Sequence, residues 1–144
     1  MNSNISGLHH VTALASDPQR NVDFYAGILG LRMVKKTINF DAPDVYHLYY
    51  GDERGLPGTI MTFFPFPGIR GGRNGIGQIN ATSFSISMQS LGYWQERLKR
   101  FSIPFSSPQE RFDGEVSIYF QDFDGLGLEL VANPDDTRTG YIAP

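Results

Sequence analysis

Tyr46-His-Leu-Tyr-Tyr-Gly-Asp52 and Val116-Ser-Ile-Tyr-Phe-Gln-Asp122 are the same phrase written twice, 70 residues apart. The likeness extends in both directions. Phe24-Tyr25 and Leu29 match Tyr93-Trp94 and Leu98, and Pro57-Gly-Thr-Ile-Met-Thr-Phe63 matches Gly125-Leu-Gly-Leu-Glu-Leu-Val131. Each copy reads as strand, helix, strand, strand, strand. In the first, Ile5–Leu14 alternates and is rich in β-branched residues. Asp17 then caps a helix, Pro18 suits its first turn, and Gly30 fits the left-handed stop. Leu31–Phe40, Val45–Gly51 and Gly58–Phe64 complete the copy. The second runs as Gln78–Met88, a helix over Leu91–Phe101, a strand near Pro104–Phe112, then Glu115–Asp122 and Gly127–Ala132.

The expected fold is therefore α+β, two tandem βαβββ modules forming curved, half-barrel sheets. Residues 1–67 form the first module and 78–133 the second. Residues 68–77 form a Gly-rich linker, and 134–144 a polar tail or onward linker. The linker lacks the Lys-Ser/Thr ending of a phosphate loop. Two half-open sheets of this kind can close on each other around a cavity.

Composition narrows the partners. The chain has 144 residues, 40% of them apolar and 13% aromatic, enough for one compact core. A net charge of −3 lends no support to nucleic acid or an anionic membrane as partner. Cysteine is absent, which excludes disulfides and thiolate metal sites. No apolar run approaches a membrane span, and the N-terminus has no signal-peptide pattern, so a cytoplasmic location is the default expectation.

Strand alternation sorts the candidate site residues. Val116, Ile118 and Phe120 suit the helix side, leaving Ser117 and Tyr119 on the other; by the repeat, His47 and Tyr49 share that second face. In Leu8-His-His-Val-Thr12, His10 and Thr12 fall on the cavity side, with His9 pointing away unless a bulge turns it. A neutral imidazole at His10 is a ligand for a transition metal such as Fe, Mn or Zn. Glu129, in the apolar strand Leu126-Gly-Leu-Glu-Leu-Val131, needs a partner for its charge: a metal ion or an arginine. The first copy has Met61 opposite Glu129 in the alignment, and the second has Asn80-Ala81 where the first has His9-His10. His47, Tyr49, Phe63 and Tyr119, with Thr12, would line a pocket for a flat phenolic ligand.

Together these phrases, with Phe24-Tyr-Ala-Gly-Ile-Leu-Gly-Leu31, resemble the vicinal oxygen chelate superfamily of glyoxalase I, bleomycin-resistance proteins and extradiol dioxygenases. More narrowly, the chain is similar to the front half of ring-cleaving dioxygenases that act on hydroquinones. That resemblance implies a non-haem Fe(II) enzyme, with Mn(II) or Zn(II) as alternatives and no organic cofactor. Its substrates would be a small aromatic and O2. Members of that branch are about twice as long and carry four such modules. The resemblance implies His10 and Glu129 as metal ligands, and His9 and Thr12 as the residues that handle protons or hold oxygen beside the metal. Ala81 leaves the expected two-His-one-carboxylate set one His short. A complementary C-terminal half or a homodimer would then complete the site. The alternatives are a non-catalytic module that sequesters an aromatic or antibiotic-like ligand, and a glyoxalase-type metal lyase or isomerase.

Overall fold

A computed structural model describes residues 5, 7–73 and 75–137; most of the expected tail 134–144 lies outside them. The chain divides into two units, one ending at Arg70 and one beginning at Gly71. The first contains β1 (His10–Ala15), α1 (Pro18–Val22), β2 (Arg32–Ile38), β3 (Tyr46–Gly51) and β4 (Ile60–Pro65). The second contains β5 (Thr82–Ser87), α2 (Leu91–Arg100), β6 (Gln109–Glu110), β7 (Val116–Gln121) and β8 (Gly127–Asn133). Each is a four-stranded mixed sheet with a helix, ordered β1-β4-β3-β2 and β5-β8-β7-β6. The expected α+β order is thus present twice.

In both sheets the first strand pairs parallel with the last, while the remaining pairs are antiparallel. A parallel pair needs a crossover, and the helix supplies it. The Asp17 carboxylate accepts from the Arg20 N–H at 2.8 Å, capping α1 as its sequence predicts. The helix then widens into a π-helical stretch (Asp23–Ile28), in which the Leu29 N–H donates five residues back to the Phe24 carbonyl at 2.9 Å. Gly30, at φ 69°, ends it. Phe24, Tyr25, Ile28 and Leu29 are buried. The Tyr25 ring meets Phe63 of β4 at 4.4 Å and Tyr50 of β3 at 5.4 Å between centroids. Inside this core the Tyr50 hydroxyl donates to Asn21 Oδ1 at 2.9 Å. Burial, and then the nearby Asp23 charge, push the Tyr50 phenol well above its ordinary range, so it remains a donor.

The second core holds Ile86, Leu98, Ile118, Phe120, Leu128 and Leu130. Its third strand is much shorter than expected, reduced to Gln109–Glu110 plus an isolated bridge from Phe105 to Phe120. Pro104 and Pro108 flank the gap and have no N–H to give a ladder. The duplication reaches into the turns. Asp52 accepts from the Arg54 and Leu56 N–H groups at 3.1 Å each, and Asp122 from those of Asp124 and Leu126 at 2.9 Å each. Burial works against the Asp52 anion, but these N–H donors outweigh it and hold the carboxyl below its usual range.

Two substitutions test this packing. At Gly127 a Cβ would lie 2.1 Å from the Asn80 carbonyl oxygen, so G127A must displace backbone. It should destabilise the protein by about 1–3 kcal/mol in chemical denaturation. Tyr50→Phe strands the buried Asn21 amide and should cost about 1–3 kcal/mol with little change in the denaturant slope.

Candidate functional site

β1 alternates strictly. Val11, Ala13 and Ala15 are the more buried set and lie toward α1, while His10, Thr12 and Leu14 are exposed on the distal face. Register carries this face across the sheet: His10 lies beside Ile60, Thr12 beside Thr62 and Leu14 beside Phe64, and Thr62 in turn beside Tyr49. Thr12 Oγ1 and Thr62 Oγ1 share a hydrogen bond of 2.9 Å, and Thr62 is fully buried. Lys35 and Thr37 extend the rows on β2, opposite Tyr49 and His47.

The two adjacent histidines do not diverge as simple alternation predicts. His9 Nδ1 and His10 Nδ1 are 3.1 Å apart, with their rings edge to face. His9 precedes the strand and escapes its parity. Its carbonyl is held instead by the Gly58 N–H at 2.8 Å, where φ is 88° and glycine is favoured. Gly58 is a positioning residue that sequence reasoning missed.

His47 and Tyr49 share the distal face of β3, as expected. The Tyr49 hydroxyl lies 2.9 Å from His47 Nδ1, and Lys35 Nζ is 5.5 Å from the Tyr49 ring centre. The His47 ring packs against Tyr49 and Phe64, at 4.1 and 4.0 Å between centroids. Burial first, then the charges of His10 and Lys35, lower the His47 pKa, which keeps its imidazole neutral. Phe63, expected in the pocket, is instead fully buried on the helix side against Tyr25. Phe64 takes its place on the distal face. Ile60-Met-Thr-Phe-Phe64 is apolar at nearly every position, so it offers no alternation from which parity could be read.

In the second unit Glu129 stands on the distal face of β8, in register with Ser83 and with Tyr119. Its Oε2 accepts from Ser83 Oγ and from Arg111 Nη1, both at 2.8 Å. Of the two partners expected for this carboxylate, the arginine is the one seen. Tyr119 is 38% exposed, and its hydroxyl accepts from Gln121 Nε2 at 3.2 Å. Register also corrects the alignment of the repeats. Ser83 and Glu129 pair as Thr12 and Thr62 do, so the counterpart of Glu129 is Thr62, not Met61. Met61 is buried in the first core.

These residues do not by themselves make a metal centre. No group of three His, Asp or Glu side chains placed to hold a metal ion occurs among the described residues. His9 and His10 bring two imidazoles together, and Glu129 is already held by a guanidinium. No helix among the described residues is long and apolar enough to cross a membrane.

Comparison with known proteins agrees with this architecture. Over 125 residues the chain is 51% identical to "Putative ring-cleaving dioxygenase MhqO" of Bacillus subtilis, covering 87% of this chain and 39% of that protein. It is 41% identical over 136 residues to the chlorohydroquinone/hydroquinone 1,2-dioxygenase of Sphingobium indicum, covering 92% and 42%. A crystal structure of a B. subtilis protein described as a dioxygenase superposes with a TM-score of 0.83 at 50% identity, covering 88% of this chain and 40% of that one. The chain therefore spans about two fifths of the length of these relatives. Residues 7–130 match the Glyoxalase/Bleomycin resistance protein/Dioxygenase superfamily model, and with the doubled βαβββ sheet they make the chain a member of that superfamily.

Proposed function

We propose that this chain is the front half of an aromatic-ring-cleaving dioxygenase acting on a hydroquinone- or catechol-like substrate with O2. What supports the reading is the exposed imidazole pair at the head of β1, in a chain half identical to a protein named for that activity. In this reading His10 gives one ligand to a non-haem Fe(II). The absence of a three-donor group among the described residues means that the other ligands come from a C-terminal half or a second copy of the chain. When bound, such an ion supplies the Lewis acidity and redox capacity that ring opening by dioxygen requires. This chain's own residues do the rest. His9, 3.1 Å from His10, is placed to accept a proton from a ring hydroxyl. Thr12, tied to Thr62, offers a fixed hydroxyl two residues along the same face. The aromatic side chains of β3 and β4 give a flat ligand a surface to lie on.

The same absence of a three-donor group favours a second reading, a non-catalytic module that binds an aromatic ligand. The two separate in one experiment. The chain is purified alone and together with the rear half of B. subtilis MhqO, and iron content and oxygen uptake with hydroquinone are measured. The dioxygenase reading expects stoichiometric iron and oxygen uptake in the pair, with His10→Ala lowering uptake about 100-fold or more and releasing the metal. If completion comes from a second copy, the chain alone behaves this way and elutes as a dimer. Iron binding and uptake indifferent to His10→Ala contradict the assignment. Tight hydroquinone binding with no metal and no uptake favours the sequestering module.

A further inference from the structure

One polar atom in the first unit lacks a role in the account so far. His47 Nε2 is sealed from solvent and has no hydrogen-bond partner among the described residues. An unpaired buried nitrogen is costly, so its presence calls for an explanation. The neighbouring groups decide what this nitrogen is. The Tyr49 hydroxyl is 2.9 Å from His47 Nδ1. A phenol is the better donor of the two, and the bare sp2 nitrogen the better acceptor, so Tyr49 O–H donates to Nδ1. In a neutral imidazole the single proton must then sit on Nε2. Packing against Phe64 on one hand and Tyr49 on the other fixes the ring plane, and therefore the direction of that N–H. Lys35, opposite Tyr49 on β2, adds a positive charge to the same face.

We propose that His47 is a substrate-positioning donor whose Nε2–H, locked by Tyr49, binds the oxyanion of a phenolate ring substituent on the distal face of the first sheet. This rests on the dioxygenase reading for the identity of the substrate, a singly ionised hydroquinone, but not for the existence of the site. The class of ligand follows from the donor set. A neutral N–H donor with an ammonium nearby suits an anionic oxygen, and flanking aromatic rings suit a flat carrier for it. His47 and Tyr49 then orient the ring, while the residues at the head of β1 meet its other end.

The test uses the full chain and 4-nitrophenolate, whose absorbance shifts when its oxygen accepts a hydrogen bond. 4-Nitroanisole, which has no oxyanion, is the control. Long-range 1H–15N NMR of the histidine rings reports the tautomer independently. The proposal expects an Nε2–H tautomer at His47 that Tyr49→Phe unlocks. It expects nitrophenolate to bind about 10-fold more tightly than nitroanisole, and to shift the Nε2–H resonance. His47→Phe keeps the stacked ring and should weaken nitrophenolate about 10-fold, while His47→Gln, which keeps a donor, should recover part of the loss. An Nδ1–H tautomer overturns the proposal, as does nitrophenolate affinity unchanged in His47→Phe. No binding of nitrophenolate by the wild-type chain overturns it too. Should His47→Phe not fold, the wild-type tautomer and resonance shift decide the matter. Binding through His47 without ring cleavage in the completed enzyme keeps this site and defeats the dioxygenase reading. Ring cleavage indifferent to His47→Gln and His47→Phe does the reverse.

Discussion

The parallel pairing of β1 with β4 is the constraint on which the candidate site depends. A strand has only two faces, and the register decides which residues share one. Once Ala13 pairs with Phe63, and Phe63 packs on Tyr25, the helix side is settled. His10, Thr12 and Leu14 must then lie on the distal face, with Thr62, Phe64, Tyr49 and His47 across the ladder. A slip of one residue would bury an imidazole against α1 and expose Phe63. The hydrophobic core is thus what aims the polar face, and the tight packing of Tyr25, Tyr50 and Phe63 gives the register its energy.

The second unit repeats the scaffold and changes the chemistry. The β5–β8 pairing reproduces the β1–β4 pairing, and the turns at Asp52 and Asp122 are made by the same bonds. At matched register positions, however, His10 is replaced by Ala81, Thr12 by Ser83 and Thr62 by Glu129. One unit carries imidazoles without a carboxylate on its distal face; the other carries a carboxylate held by Arg111 without an imidazole. Backbone geometry has been kept while the functional side chains have diverged. This division is why neither unit alone supplies a three-donor group.

Much of this was legible in the residues. The doubled Tyr46 and Val116 phrases, the Asp17-Pro18 helix start and the Gly30 stop are local signals, and local physics honours them. The faces of β1, β3 and β7 followed from alternation, because each has polar residues on only one side. Alternation failed on β4, where both sides are covered and every residue is apolar or a buried threonine. That one ambiguity misplaced Phe63 and misaligned Glu129 with Met61. It also failed at His9, which lies outside the strand and is held by Gly58 from a distant turn. Arg111, the partner of Glu129, comes from the segment where the expected third strand dissolves, so no spacing rule pointed to it.

The register of β1 against β4 is open to direct measurement, because the chain contains no cysteine. In a Thr12→Cys, Thr62→Cys double variant the two sulfurs replace hydroxyls 2.9 Å apart. Mild oxidation should form an intramolecular disulfide, seen as the loss of two hydrogens by mass spectrometry, and should leave the paired control Thr12→Cys, Met61→Cys reduced. Closure in the control, with none in the first variant, would mean that β4 is shifted by one residue. His10 would then not share a face with Thr62 and Tyr49, and the site described for this chain would be wrong.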